Sequence, residues 1–287
     1  MRGVWLLCVL TVVAAAQAVA QNAKLSPYVG VYRDAPGEYI VIAPVAIADP
    51  SRLLLAETRT EQLRLLVAAG TDMFTTGPAL TQFSPIERTL HLSSGPNRTL
   101  TIRLARSPSS AVVYSQIPLR LEEVKFRNGD VTLHGTLLIP AVTNRRGSAI
   151  VLAHGSENND RNSFGPLPWV LAGHGYVVLA YDKRGTGSSS GKWQPAGIEP
   201  VAQDLAAAVD YVASRGDFAI SRIAVIGTSE GGWVAANASR RRASVRLPRS
   251  AVAHARKAMP TSTSTGGWRW RRVCGASSST VRSLRRH

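Results

Sequence analysis

The residues of this 287-residue chain best suited to chemistry lie between Ile223 and Trp233. There Ser229 stands between two glycines in Gly227-Thr228-Ser229-Glu230-Gly231, a G-x-S-x-G spacing. The β-branched run Ile223–Ile226 comes before it and reads as a buried parallel strand; small residues suited to a helix follow. A serine on so tight a strand-to-helix turn sits in a strained backbone conformation, and side chains at the flanking positions would collide, which is why they are glycines. Such a turn lifts the Ser229 hydroxyl above the sheet and gathers its neighbours' N–H groups at a helix N-terminus, where negative charge is stabilised. The pattern reads as a nucleophile elbow.

The elements that must position this turn begin at Leu119. Leu119–Phe126 and Val131–Ile139 flank Asn128-Gly129-Asp130, a strong hairpin signal because Asn and Gly tolerate positive φ. Ala149–Ala153 reads as a buried strand ending at His154-Gly155-Ser156, and Tyr176–Tyr181 as another ending at Asp182. Leu167–Gly173 and Pro200–Ser214 read as helices between them. Two antiparallel strands followed by alternating strand and helix predict an α/β domain over 119–239, with a mostly parallel sheet and helices on both faces. Catalytic loops in such sheets lie at the carboxyl ends of the strands, where His154, Asp182 and Ser229 all fall.

Residues 21–115 read as a separate small, mostly-β domain. Its runs Tyr39–Ile42, Leu63–Val67, Arg88–Leu92 and Leu100–Leu104 are separated by Gly, Pro, Ser and Asn clusters, and Ser107-Pro108-Ser109-Ser110 reads as the linker out of it. Residues 1–20 read as a Sec-type signal peptide: Arg2, the apolar run Val4–Ala16, then Ala18-Val19-Ala20 with cleavage after Ala20. This predicts a secreted or periplasmic protein with no stable membrane span once the signal is removed. Cys8 lies inside the signal, so Cys274 alone would remain and no internal disulfide is expected. No Cys/His metal constellation is visible, and neither metal nor cofactor is expected.

A hydrophobic content of 45% excludes global disorder, whereas the net charge of +16 invites a nucleic-acid reading. The distribution of that charge argues otherwise. Of the 34 Lys/Arg, 13 lie between Arg240 and His287, where there is no Asp or Glu, which leaves 21 basic against 18 acidic residues before them. The body is nearly neutral and residues 240–287 form a basic tail, expected to be disordered.

Three motifs in order over Leu119–Ala238 resemble the α/β-hydrolase family. His154-Gly155-Ser156-Glu157-Asn158-Asn159-Asp160-Arg161-Asn162 looks like the H-G-S-x-x-x-D-R-N loop of a bacterial, often secreted, subgroup. Asp182 to Ser188 looks like its D-x-R-G-x-G-x-S turn, and Gly227 to Gly232 like the elbow G-H-S-E-G-G, with Thr228 where His is commoner. The resemblance implies that Ser229 attacks an ester, thioester or peptide-type acyl carbonyl and forms an acyl-enzyme. It implies the backbone N–H groups of Glu230 and Ser156 as oxyanion donors. His154, Gly155, Asp182 and Arg184 would support the loops, with His154 a weaker candidate for the base. His134 and His174 read as structural, and Asp204 and Asp210 as a solvated helix face.

The family pattern also requires an Asp or Glu and then a His after the nucleophile. Nothing after Glu230 is acidic, and neither His254 nor His287 follows a convincing strand. The catalytic set therefore reads as incomplete, with the strand Ile223–Ile226 left at an uncovered sheet edge. The tail, with Arg240-Arg241-Arg242 and Trp268-Arg269-Trp270-Arg271-Arg272, admits three readings: a basic arm for nucleic acid, a binder of anionic lipid surfaces, or a frameshifted or truncated reading of a longer hydrolase, the last explaining the most. The alternative to an enzyme is a non-catalytic binding protein on the same scaffold. The expected partner is a small acyl or peptide substrate rather than nucleic acid; substrate identity and oligomeric state are not legible.

Overall fold

The computed structural model describes residues 26–45, 49–93, 98–141, 147–194, 196–243 and 251–253. The expectations for the signal peptide, Cys274, His254, His287 and most of the tail lie outside these residues. Among the described residues no helix is long and apolar enough to cross a membrane.

The first eight strands run as an antiparallel meander: β1 (Gly30–Arg33), β2 (Tyr39–Val45), β3 (Asp49–Glu57), β4 (Gln62–Gly70), β5 (Met73–Thr76), β6 (Arg88–Leu92), β7 (Thr99–Leu104) and β8 (Ser107–Ile117). Pairing of Val31 with Ile117 and of Arg33 with Ser115 closes them into a barrel, which leaves no free edge. Alternation sets what is inside. Tyr32, Ile40, Ile42, Leu53, Leu55, Leu66, Phe74, Leu90, Leu92, Leu100 and Ile102 fill the interior. The four expected runs lie in β2, β4, β6 and β7. The linker expected at Ser107-Pro108-Ser109-Ser110 is corrected: these residues open β8, because the β7–β8 hairpin turns at Ala105-Arg106 and Ser107 pairs with Leu104.

One end of the barrel interior carries charge. Arg64, 4% exposed, donates to Glu57 at 3.0 Å and Glu87 at 2.8 Å, and Arg88 also bonds Glu57. Leu55 pairs across from Arg64, and Glu57 from Gln62, which places these polar side chains in line with the apolar interior set.

The outward faces of β1–β3 are buried as well. Val31, Val41, Ala43, Leu54 and Ala56 pack on Trp169 and Val170 of helix α1 (Leu167–Gly173). Gly173 approaches Val31 so closely that a Cβ would lie 2.7 Å from its Cγ1. His174, which caps the helix, meets the Tyr39 ring edge-on at 5.1 Å. Its pKa is lowered by burial.

The second sheet has the order β14-β13-β11-β12-β10-β9, where β14 is Ala251–Ala253. Strands β9 (Leu119–Asn128) and β10 (Val131–Pro140) form the expected hairpin, with Gly129 at φ +56°. Strands β11 (Ser148–Ala153), β12 (Val177–Tyr181) and β13 (Arg222–Gly227) are parallel to one another. The sheet is mixed rather than mostly parallel, since β10 runs antiparallel to both β9 and β12. Helices cover both faces. Helix α2 (Ile198–Ser214) and α3 (Gly231–Ala243) pack on one through Val201, Leu205, Val209 and Val234; α1 packs on the other with Phe164.

Two expectations about the end of the chain change. Helix α3 continues through Arg240-Arg241-Arg242, and Ala251–Ala253 form β14, parallel to Ile223–Val225 of β13. The nucleophile strand is thus not left uncovered over those residues, and His254 directly follows a strand in the sequence. A three-residue Ala-Val-Ala strand is too short to leave a period that could be read.

Candidate active site

Strand β13 ends at Gly227, next to Ala153 at the end of β11. The chain then reverses within four residues. The Thr228 N–H donates to the Ala153 carbonyl at 3.1 Å, the Gly231 N–H to the Thr228 carbonyl at 2.8 Å, and α3 begins. Crowding fixes the residue types: a Cβ on Gly227 would collide with the Gly231 carbonyl, and one on Gly231 with that of Ala153. Between them Ser229 is held at φ +50°, a left-handed conformation that costs a side-chain-bearing residue about 1–2 kcal/mol. Ser229 is exposed, and its hydroxyl makes no hydrogen bond among the described residues. The Glu230 N–H likewise makes none, whereas its carbonyl accepts from Trp233 and Val234.

The His154-Gly155-Ser156 loop lies against this turn. A Cβ on Gly155 would sit 3.4 Å from the Ser229 Cβ and from the Thr228 carbonyl oxygen. His154 itself, 3% exposed, points away into the core. Its Nε2 lies 2.6 Å from the Tyr181 carbonyl, so Nε2 carries the proton and donates. The ring stacks on Phe164 at 4.2 Å, and Nδ1 faces Ser163 at 3.4 Å. Burial holds its pKa down to about 4, so the imidazole is neutral at pH 7.

Asp182 is equally buried, and its carboxylate ties two loops together. It accepts from the Arg161 and Ser188 backbone N–H groups, each at 2.9 Å, and pairs with the Arg161 guanidinium at 3.2 Å. Gly187 passes within 2.5 Å (measured from a Cβ placed on it) of this carboxylate. In the neighbouring loop Asp160 caps the 3-10 turn Arg161–Phe164 by accepting from the Asn162 N–H. Arg184 forms a two-pronged pair with Asp204 at 2.6 and 2.7 Å, and Asn128 of the hairpin donates to the same carboxylate at 2.8 Å.

Asp204 is therefore not on a solvated face: it is 1% exposed. The signal was present in its spacing, since Val201, Asp204, Leu205, Ala208 and Val212 share one face of α2. Asp210, by contrast, is exposed. A second buried charge, Lys183, also escapes the sequence reading. It follows the wholly buried strand β12, is 2% exposed, and donates to the Gly155 carbonyl at 2.7 Å. Gly155 and Lys183 thus lie against the turn of Ser229 and Glu230, while His154, Asp182 and Arg184 are bonded to Tyr181, Arg161 and Asp204. His134 lies within β10, where its carbonyl accepts from the Asp182 N–H at 2.8 Å, and His91 lies in β6 of the barrel. No group of three or more His, Cys, Asp or Glu among the described residues could hold a metal ion.

Comparison with known proteins adds a family. Residues 144–255 match the sequence model Hydrolase_4, described as serine aminopeptidase, S33. The match runs past the boundary expected at residue 239. No curated protein matches the chain. Among solved structures it is similar to an esterase of Pyrococcus furiosus, with 29% identity over 41% of this chain and 45% of that one, at a TM-score of 0.35. It is similar to a hypothetical protein of Pseudomonas aeruginosa at 29% identity over 47% and 42%, TM-score 0.39. With the α/β hydrolase GrgF of Penicillium sp. sh18 it shares 27% identity over 47% and 45%, TM-score 0.38. The chain spans less than half the length of each of these three. Over residues 144–255, then, the chain is similar to the Hydrolase_4 family, serine aminopeptidase, S33.

Proposed function

We propose that this chain is a serine hydrolase acting on an ester, thioester or peptide-type acyl bond, with Ser229 as nucleophile. The observation that carries the reading is Ser229 at φ +50° between two glycines that admit no Cβ, at the carboxyl end of β13. In this reading Ser229 Oγ adds to the acyl carbonyl carbon, and the oxyanion that forms is held by the N–H groups of Glu230 and Ser156. Collapse breaks the bond to the leaving group, which departs as the alcohol, thiol or amine with the proton that Ser229 Oγ gave up, and leaves an acyl-enzyme, which water hydrolyses. Gly227 and Gly231 shape the elbow; His154, Gly155, Asp182 and Arg184 hold the loops. His154 does not serve as the base here, since its Nε2 is committed to the Tyr181 carbonyl. The set formed by the described residues is then a nucleophile with oxyanion donors, without the acid and histidine that complete the family's triad. We also read residues 1–20 as a secretory signal, so that the reaction takes place outside the cytoplasm.

The same commitment of His154 favours a second reading, a binding protein that retains the scaffold without its chemistry, its basic tail contacting nucleic acid or an anionic surface. Intact mass of the purified chain before and after a fluorophosphonate probe separates the two. The enzyme reading expects one adduct, lost in Ser229→Ala; an unmodified chain at full occupancy would support the binding protein. The untreated mass also reports whether cleavage occurs after Ala20.

A further inference from the structure

The buried ammonium of Lys183 has no task in the reaction as just described, yet its position is costly. A buried amine must be satisfied on all sides or it destabilises the fold by several kcal/mol. Its Nζ donates to the Gly155 carbonyl at 2.7 Å and lies 3.4 Å from the Glu157 carbonyl, 3.9 Å from the Glu230 carboxylate and 5.0 Å from the centre of the Trp193 ring. Burial lowers its pKa, and Glu230 opposes that shift.

The Gly155 carbonyl belongs to the same peptide unit as the Ser156 N–H. That unit is planar and trans, so its C=O and N–H point in opposite directions, and whatever holds the oxygen also aims the hydrogen. A cation on the oxygen further polarises the unit and strengthens the N–H as a donor. The loop approaches Ser229 at Gly155, where a Cβ would lie 3.4 Å from the Ser229 Cβ. The same ammonium faces the side chain of Glu230, whose backbone N–H is the other donor.

We propose that Lys183 is the positioning residue of the oxyanion site: by holding the Gly155 carbonyl it orients the Ser156 N–H, and by facing Glu230 it ties that loop to the nucleophile turn. The inference rests on Ser229 being the nucleophile. Lys183 touches neither substrate nor oxyanion; it acts through the peptide it holds.

The test compares second-order rates of fluorophosphonate labelling at Ser229 in the full chain and in Lys183→Arg, Lys183→Gln and Lys183→Met, each with its melting temperature. The expected order is wild type, Arg, Gln, Met, following each side chain's capacity to donate to the carbonyl. Met should fall about 10- to 100-fold, somewhat less than deleting an oxyanion donor outright. If the Met variant does not fold, the comparison of Gln with Arg carries the test. Labelling of all folded variants within two-fold of wild type, or rates that follow melting temperature rather than donor capacity, would overturn the proposal while Ser229 stood. A wild-type chain that takes no label removes the nucleophile reading, and this inference with it.

Discussion

The barrel and the mixed sheet solve the same problem, how to bury polar groups, in opposite ways. In the barrel each strand pairs with its sequence neighbour, and the buried Arg64 and half-buried Arg88, Glu57 and Glu87 bond one another inside one end. In the sheet, strands distant in sequence lie side by side, and the buried His154, Asp182 and Lys183 follow the carboxyl ends of β11 and β12, at the same end of the sheet as Ser229. Left-handed backbone at non-glycine residues divides likewise. Glu61 and Asp72 adopt it in barrel hairpins, where it only reverses the chain; Ser229 adopts it where a strand becomes a helix and a hydroxyl is left exposed. Polar burial in the barrel is self-contained, whereas in the sheet it is directed at a place.

If the barrel's charges serve only one another, removing one should damage the barrel and leave Ser229 alone. Glu57→Ala takes a carboxylate from both Arg64 and Arg88 and leaves Arg64 with Glu87 alone, which should cost up to about 3–5 kcal/mol. Denaturant unfolding of the full chain would show this loss, with fluorophosphonate labelling unchanged in native buffer. Loss of labelling at an unchanged unfolding midpoint would mean that the network communicates with the site, and the contrast would fail.

The sheet's directed burial has a pH signature. His154 titrates near 6.5 when exposed but stays neutral down to about 4 in the fold, because burial disfavours its charge. Below pH 6.5 the unfolded chain takes up a proton that the folded chain refuses. This contribution to stability is full above pH 6.5 and is lost as pH falls towards 4, by at most about 3 kcal/mol. His174 is shifted in the same direction and adds to the slope. Urea unfolding at pH 7 and pH 5 should show the loss in wild type and a smaller one in His154→Gln. An equal slope in both would place the proton uptake elsewhere.

The difference between the two bodies also explains what could be read in the sequence. Strands β11, β12 and β13 were legible because buried parallel strands are unbroken apolar runs, and Ser229 because a self-crossing turn demands Gly227 and Gly231. The hairpin at Gly129 was legible for a related reason. Barrel closure was not, since it depends on β1 meeting a strand more than 70 residues away whose first residues, Ser107 to Ser110, look like a linker. Lys183 and Asp204 were missed because a charged residue is by default a solvated one; only contact shows that each has a buried partner. The antiparallel placement of β10 beside β12 was hidden for the same reason, because pairing order is a tertiary fact.

The smallest effect tests the backbone itself. If Ser229 is strained because the site needs its hydroxyl there, Ser229→Gly should relieve about 1 kcal/mol relative to Ser229→Ala, since both lack the hydroxyl and only Ala keeps the Cβ. Part of that gain is offset by the greater freedom glycine has in the unfolded chain. Glu61 supplies the control. At φ +55° in a barrel hairpin it has nearly the same conformation without any chemical duty, so Glu61→Gly against Glu61→Ala should yield a similar increment. Paired denaturation midpoints for the four variants measure the two differences directly. Equal increments would mean that the turn at Ser229 stores no more strain than an ordinary hairpin, and that the two bodies differ in where their strain is placed rather than in how much they hold. A larger increment at Ser229 would mean that closure of the elbow between β13 and α3 adds strain beyond the dihedral angle, held in place by the packing of β11 against Gly231.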